Sequence, residues 1–181
     1  MHNNSALRPD LRIGTYVLAD LSCMSIQKKV MPSISTEIII NAPPSVVRNV
    51  FLQFNSYSEW NPWITHIDCP LSSAPVGTRI QPIILNAVID AIVHENSPDR
   101  FSWLGGWWLF KGLHIFEFNP FENDNGNGEK LACKFVQREE FIGIPSLLVL
   151  VLLRAKTENG FNEMNRALKA RVEAVVAKSI S

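Results

Sequence analysis

Three polar side chains fall on two neighbouring hydrophobic runs: His114 on the first, Gln137 and Glu139 on the second. The first run, FSWLGGWWLFKGLHIFEFNP from Phe101 to Pro120, holds three tryptophans, four phenylalanines and a single histidine. A histidine and a carboxyl within reach of one substrate could act as general acid and base. With an amide beside them they could instead orient the polar end of a bound molecule, or satisfy one another inside a core. The choice depends on which way each side chain points.

Charge fixes the direction, because successive strand residues alternate between faces. From Phe110 to Asn119 the set Lys111, Leu113, Ile115, Glu117 and Asn119 carries the charge and is assigned to solvent. His114 then faces inward with Phe110, Phe116 and Phe118. On the next run Lys134, Val136, Arg138 and Glu140 are the charged set, so Phe135, Gln137, Glu139 and Phe141 face inward. The polar loop between them, ENDNGNGE, makes the two runs an antiparallel hairpin. A register centred on that loop sets His114 opposite Gln137, Phe116 opposite Phe135 and Gly112 opposite Glu139. A slip of two residues sets His114 opposite Glu139. In either case the three polar groups cluster on an apolar inner face, where each costs a few kcal/mol unless it finds a partner.

The elements that must position them are legible in outline. STEIIIN is a β-branched strand; Asn41, Pro43 and Pro44 break it, and Ser45 is a suitable helix start. Val46, Val47, Val50, Phe51 and Phe54 recur at helical spacing. NSYSEWNP is a break with room for a short second helix. GTRIQPIIL and AVIDAIVHE read as strands, with Pro82 marking an edge or a bulge. FSWL is a strand and GG a turn. After Gly143 and Pro145, an apolar stripe of Phe161, Met164, Leu168, Val172 and Val175 marks a long C-terminal helix, with Gly160 a kink or a point of close approach. This order describes an α+β fold in which a curved antiparallel sheet packs against one long helix and leaves room for a cavity. Residues 1–33 show no sustained period and form an N-terminal extension to a domain spanning 34–178.

Composition removes several classes of function. The chain has 181 residues, 17 basic and 17 acidic, so it lacks the basic footprint of a nucleic-acid binder. Cys23, Cys69 and Cys133 are odd in number and widely spaced. They suggest neither a disulfide framework nor a zinc site, and point to a reducing, cytoplasmic compartment. Organelle targeting by the extension is the alternative. The histidines His2, His66, His94 and His114 lack metal-ligand spacing, so neither a metal nor another cofactor is expected. The longest apolar run, Leu147–Leu153, falls far below the roughly 20 residues that span a bilayer.

IIINAPPSVVRNVFLQFNSYSEWNPW, with Ala42-Pro43-Pro44 and Trp60-Asn61-Pro62, resembles the opening of the START-like, birch-pollen-allergen-like helix-grip superfamily, in its polyketide cyclase/dehydrase-like branch. FSWLGG, GLHIFEFNP and FVQREEFIGI are similar to its central strands, and GFNEMNRALKARVEA to its closing helix. The resemblance covers about residues 34–176. It implies a seven-stranded antiparallel sheet wrapped around a long C-terminal helix, enclosing a hydrophobic cavity. Superfamily members bind lipids, sterols, plant hormones or polyketides, and some catalyse cyclisation or dehydration.

Three functions follow as expectations. The first is binding or transport of a small hydrophobic ligand, with Trp60, Trp103, Phe116, Phe135, Phe161 and Met164 as wall and His114, Gln137 and Glu139 orienting a polar end. The second is an aromatase/cyclase or dehydratase using His114 and Glu139 as acid and base; no independent catalytic motif supports it. The third is transient membrane contact or homodimerisation, as opposed to a monomer, through the apolar run Leu147–Leu153, with Trp107 and Trp108 at the same rim.

Overall fold

In the computed structural model, residues 32–107, 110–123, 130–142 and 146–180 are described. The extension expected at 1–33 lies almost wholly outside them. β1 (Ser33–Ile40) is followed by α1 (Pro44–Phe51), a 3-10 turn (Phe54–Ser56) and α2 (Tyr57–Trp60). Seven strands come next: β2 (Ile64–Asp68), β3 (Arg79–Ile84), β4 (Ala87–Val88), β5 (Ala91–Asn96), β6 (Arg100–Trp107), β7 (Phe110–Asn123) and β8 (Lys130–Ile142). α3 (Ser146–Ile180) closes the chain. The sheet runs β1-β8-β7-β6-β5-β3-β2, every pairing antiparallel, with the two-residue β4 hung on β3. Seven strands on one path with a long closing helix make this the helix-grip α+β architecture.

Local chemistry explains the boundaries. Pro44 opens α1 in the first turn, where its missing N–H has no helical partner to lose; the helix thus begins one residue before Ser45. Pro82 sits where β3 passes from pairing with β5 (Arg79, Ile80) to pairing with β4 (Ile83, Ile84). A residue without a donor is tolerated at such a change of partner, and its carbonyl accepts from Ile89 N at 2.9 Å. β4 and β5 divide the stretch read as one strand. Leu85 and Asn86, with φ of 53° and 64°, form the tight turn between β3 and β4.

One expectation is corrected, and one left open is resolved. Gly105 and Gly106 are strand residues of β6, paired with Gly112 and Lys111, and not a turn. At Gly105 the reason is steric: a Cβ there would sit 2.9 Å from the Cβ of Ala91, the first residue of β5, and 3.2 Å from the carbonyl oxygen of Asp90 just before it. The β7–β8 register is the slipped one, His114 opposite Glu139, Phe116 opposite Gln137 and Gly112 opposite Phe141. The face assignments stand. His114, Phe116, Phe118, Phe135, Gln137 and Phe141 are buried on the inner face, while Lys111 is exposed and Lys134, Arg138 and Glu140 are half-exposed on the outer. Ile115 is an exception among the outward residues, buried between its register partners Ser102 and Arg138. Around it Arg138 pairs with Glu117 and Glu140, and Arg100 with Glu95 and Glu117.

The core lies between the inner face, α1 and α3. Phe51 of α1 stands 4.6 Å from Phe116, 5.4 Å from Phe118, 5.8 Å from Phe101 and 6.1 Å from Phe135, ring centre to ring centre. From α3, Phe161, Met164, Leu168 and Val172 are fully buried. Their spacing gives the helix one continuous apolar stripe. Val175, read as part of that stripe, is instead 42% exposed.

Candidate functional site

The inner face of the sheet is a series of rows that change character along the strands. Phe118 and Phe135 form one row, and Phe101, Phe116 and Gln137 the next. Then come Val93, Trp103, His114, Glu139 and Ile34 across five strands. The following row is Ala91, Gly105, Gly112 and Phe141. The large rings meet Phe51 and close the core at one end. At the other end, around Gly105 and Gly112, a cavity of about 180 Å³ opens. Its lining includes Trp63, Trp103, His114, Glu139, Phe141 and Thr157, with Leu85 and Leu153 at the rim, 46% and 45% exposed.

His114 is held on nearly every side. Its ring stacks on Phe116 at 4.4 Å and on Phe161 at 5.0 Å, and Trp103 meets it edge-on at 5.0 Å. Gln137 Nε2 lies 3.0 Å from His114 Nε2 and 3.6 Å from Met164 Sδ. This orientation of the amide gives both hydrogens a partner and leaves only Oε1 without one. The reverse would strand two buried donors, the costlier arrangement. His114 Nε2 therefore accepts, and the ring proton sits on Nδ1. Burial holds the imidazole neutral, with its pKa lowered to about 3.

Glu139 is the unusual group. Its side chain leans out of its own row and lies over Gly112, so closely that any Cβ at position 112 would collide with Oε1. The carboxyl has no hydrogen bond or ion pair among the described residues. Burial raises its pKa from the ordinary 4.5 to about 7. Glu139 is half-buried, and its carboxyl opens on the cavity.

Trp63 escaped the sequence reading. Asn61 Oδ1 accepts from the backbone N–H of Trp63 at 3.0 Å and of Ile64 at 2.9 Å, folding the Trp-Asn-Pro-Trp segment so that Trp63 turns towards α3. There its ring rests on Gly160 and meets Phe161 edge-on at 6.2 Å. The signal was present in the doubled tryptophan around Asn61-Pro62.

The other expected residues divide by place. Trp103, His114 and Glu139 line the cavity. Gln137 stands behind His114, fully buried. Phe116, Phe135, Phe161 and Met164 form the packed floor beneath, each fully buried. Trp60 packs edge-on against Tyr57 at 4.9 Å, away from the lining. Of the Leu147–Leu153 run, Val151 is 70% and Leu153 45% exposed. The side chains of Leu147 to Leu150, Phe110, Trp107 and Trp108 lie outside the described set. Among the described residues no helix is long and apolar enough to cross a membrane, and no cluster of three metal-ligating side chains occurs.

The curved sheet, the closing helix and the cavity between them define a helix-grip fold of the kind found in START-like and birch-pollen-allergen-like proteins. Solved structures with the same fold include a hypothetical protein from Helicobacter pylori (14% identity, 95% of this chain and 99% of that one, TM-score 0.65). A START superfamily protein from Mycobacterium smegmatis is similar at 18% identity over 79% of this chain and 98% of that one, TM-score 0.56. So is norcoclaurine synthase from Thalictrum flavum, solved with dopamine and hydroxybenzaldehyde (12% identity, 80% and 88% coverage, TM-score 0.59). No protein-family model and no curated protein matches the chain. At these identities the likeness is one of fold.

Proposed function

We propose that this protein binds a small, largely hydrophobic molecule in the cavity beneath α3, with His114 and Glu139 receiving its polar group. The observation that carries this reading is the Glu139 carboxyl, without a partner among the described residues, beside an apolar cavity of about 180 Å³. Small-molecule sites combine an apolar wall with a few convergent polar groups. Trp63, Trp103 and Phe141 supply the wall here, with Gly105 and Gly112 also in the lining. Native mass spectrometry of protein purified from its own host tests the reading. An adduct is expected on the wild type and not on Ala87→Trp, which fills the cavity from β4. An adduct-free wild type that also binds no apolar probe would overturn it.

A second reading is catalytic. A carboxyl whose pKa lies near 7 is suited to proton transfer at neutral pH. His114, neutral and depressed to about 3, would serve as a hydrogen-bond donor and not as the base. On this reading Glu139 does the acid–base work on a bound carbonyl or hydroxyl compound, as a cyclase or dehydratase requires. Turnover of an enolisable aromatic precursor, lost in Glu139→Gln with the fold intact, is the test. Leu85 and Leu153, the exposed apolar residues of the lining, would receive the ligand, from water or from a lipid surface.

A further inference from the structure

Among the described residues that line the cavity, which also include the Thr157 hydroxyl and the Trp63 indole, the two ionisable groups stand next to each other, and they differ in what they ask of a ligand. His114 and Glu139 are register partners on β7 and β8, and both line the cavity. With Nε2 occupied by Gln137, His114 presents its Nδ1–H. Glu139 presents a carboxyl that no described residue engages. Of the groups facing Glu139, Ile34 comes from β1, Leu153 and Thr157 from α3, Trp63 from the segment before β2 and His114 from β7. None of these carries a charge. Lys111 and Glu117 on β7 and Arg138 and Glu140 on β8, the nearest charged residues along the two strands, belong to the outer set.

We infer that the ligand is a single-ring compound bearing a hydroxyl, bound with its oxygen accepting from His114 Nδ1–H and its hydrogen donated to the Glu139 carboxylate. The inference rests on the cavity reading above and narrows it. A hydroxyl is the common group that satisfies a donor and an acceptor through one atom. An ammonium would suit the carboxylate but would face the imidazole N–H with no acceptor to meet it. A carbonyl would accept from His114 but would require Glu139 to be protonated. Size points the same way, since a cavity of roughly 150 Å³ takes up one benzene ring, close to the volume found here. The flat aromatic walls of Trp63, Trp103 and Phe141 suit a ring in particular.

The test is calorimetric titration of the full-length chain with p-cresol, toluene, benzylamine and acetophenone at pH 8 and pH 6. Tighter binding of p-cresol than toluene at pH 8 is expected, by about tenfold or more, the effect of one charge-assisted hydrogen bond. That advantage shrinks severalfold at pH 6, as Glu139 takes up its proton, and is equally reduced and independent of pH in Glu139→Gln while toluene binding persists. Should the variant fail to fold, the pH dependence of the wild type decides alone. Equal affinity for p-cresol and toluene, a preference for benzylamine, or a preference for acetophenone that strengthens at pH 6 overturns the hydroxyl and leaves the cavity reading intact. Failure of all four probes to bind overturns both.

Discussion

Gly160 of α3 lies flat against the six-membered ring of Trp63, so that a methyl group at position 160 would enter the ring. The contact sets the distance between α3 and the segment leading into β2, and with it one wall of the cavity. Alanine at an ordinary helix position would stabilise by about 0.5–1 kcal/mol relative to glycine. Overpacking here costs about 1–3 kcal/mol and outweighs that gain. Gly160→Ala is therefore expected to melt several degrees below the wild type, with altered Trp63 fluorescence. An unchanged or raised melting temperature would show that α3 is free to move away from Trp63.

The glycine at 160 could be read as a point of close approach from sequence, but its partner could not. Strand faces were similarly legible because charge marks the wet side: Lys111 and Glu117 on β7, Lys134, Arg138 and Glu140 on β8. Register was not, since a two-residue slip keeps every side chain on its own face and the loop between the strands constrains it only loosely. The Gly105-Gly106 pair misled for a related reason. Two glycines read locally as a turn, whereas at 105 the cause is the Ala91 side chain of β5 and the Asp90 backbone just before it, pressing from the neighbouring chain segment. What was least visible was the cavity, which depends on which rows receive glycine and which receive phenylalanine once the register is set.

His114 and Glu139 should give opposite pH slopes to stability. A histidine with a lowered folded pKa is neutral in the native state while its unfolded counterpart binds a proton, so stability falls as pH drops from 6.5 towards 3. A glutamate with a raised folded pKa holds its proton in the native state, so stability falls as pH rises from 4.5 to about 7. Each slope is at most about 1.4 kcal/mol per pH unit. Urea unfolding between pH 4 and 8 should show Glu139→Gln gaining on the wild type as pH rises through that window, levelling above pH 7. A constant difference between the two proteins would contradict the raised carboxyl.

The tautomer of His114 is open to direct observation. Long-range nitrogen–proton NMR spectra should show a neutral ring protonated on Nδ1 down to pH 5. Gln137→Leu removes the donor to Nε2 and should release the ring to a mixture of tautomers, at a cost of about 1–2 kcal/mol of stability. An Nε2-protonated ring in the wild type would mean that the Gln137 amide is turned the other way.

Val151 and Leu153 sit exposed on α3, Leu153 at the rim of the cavity. Val151→Glu with Leu153→Glu should change stability by no more than about 0.5 kcal/mol, as surface substitutions do. If the rim meets a bilayer, flotation of the wild type with phosphatidylcholine vesicles should be lost in the double variant. Loss of folding instead would show that these side chains are covered.

The most direct measurement of the central claim is NMR titration of the full-length chain with p-cresol, following the tryptophan indole and the threonine and leucine methyl signals. Saturable shifts at Trp63, Trp103, Thr157 and Leu153, absent from Trp60, and abolished in Ala87→Trp, are the expected result. Shifts spread over the surface, or saturable binding that survives in Ala87→Trp, would contradict a ligand site beneath α3.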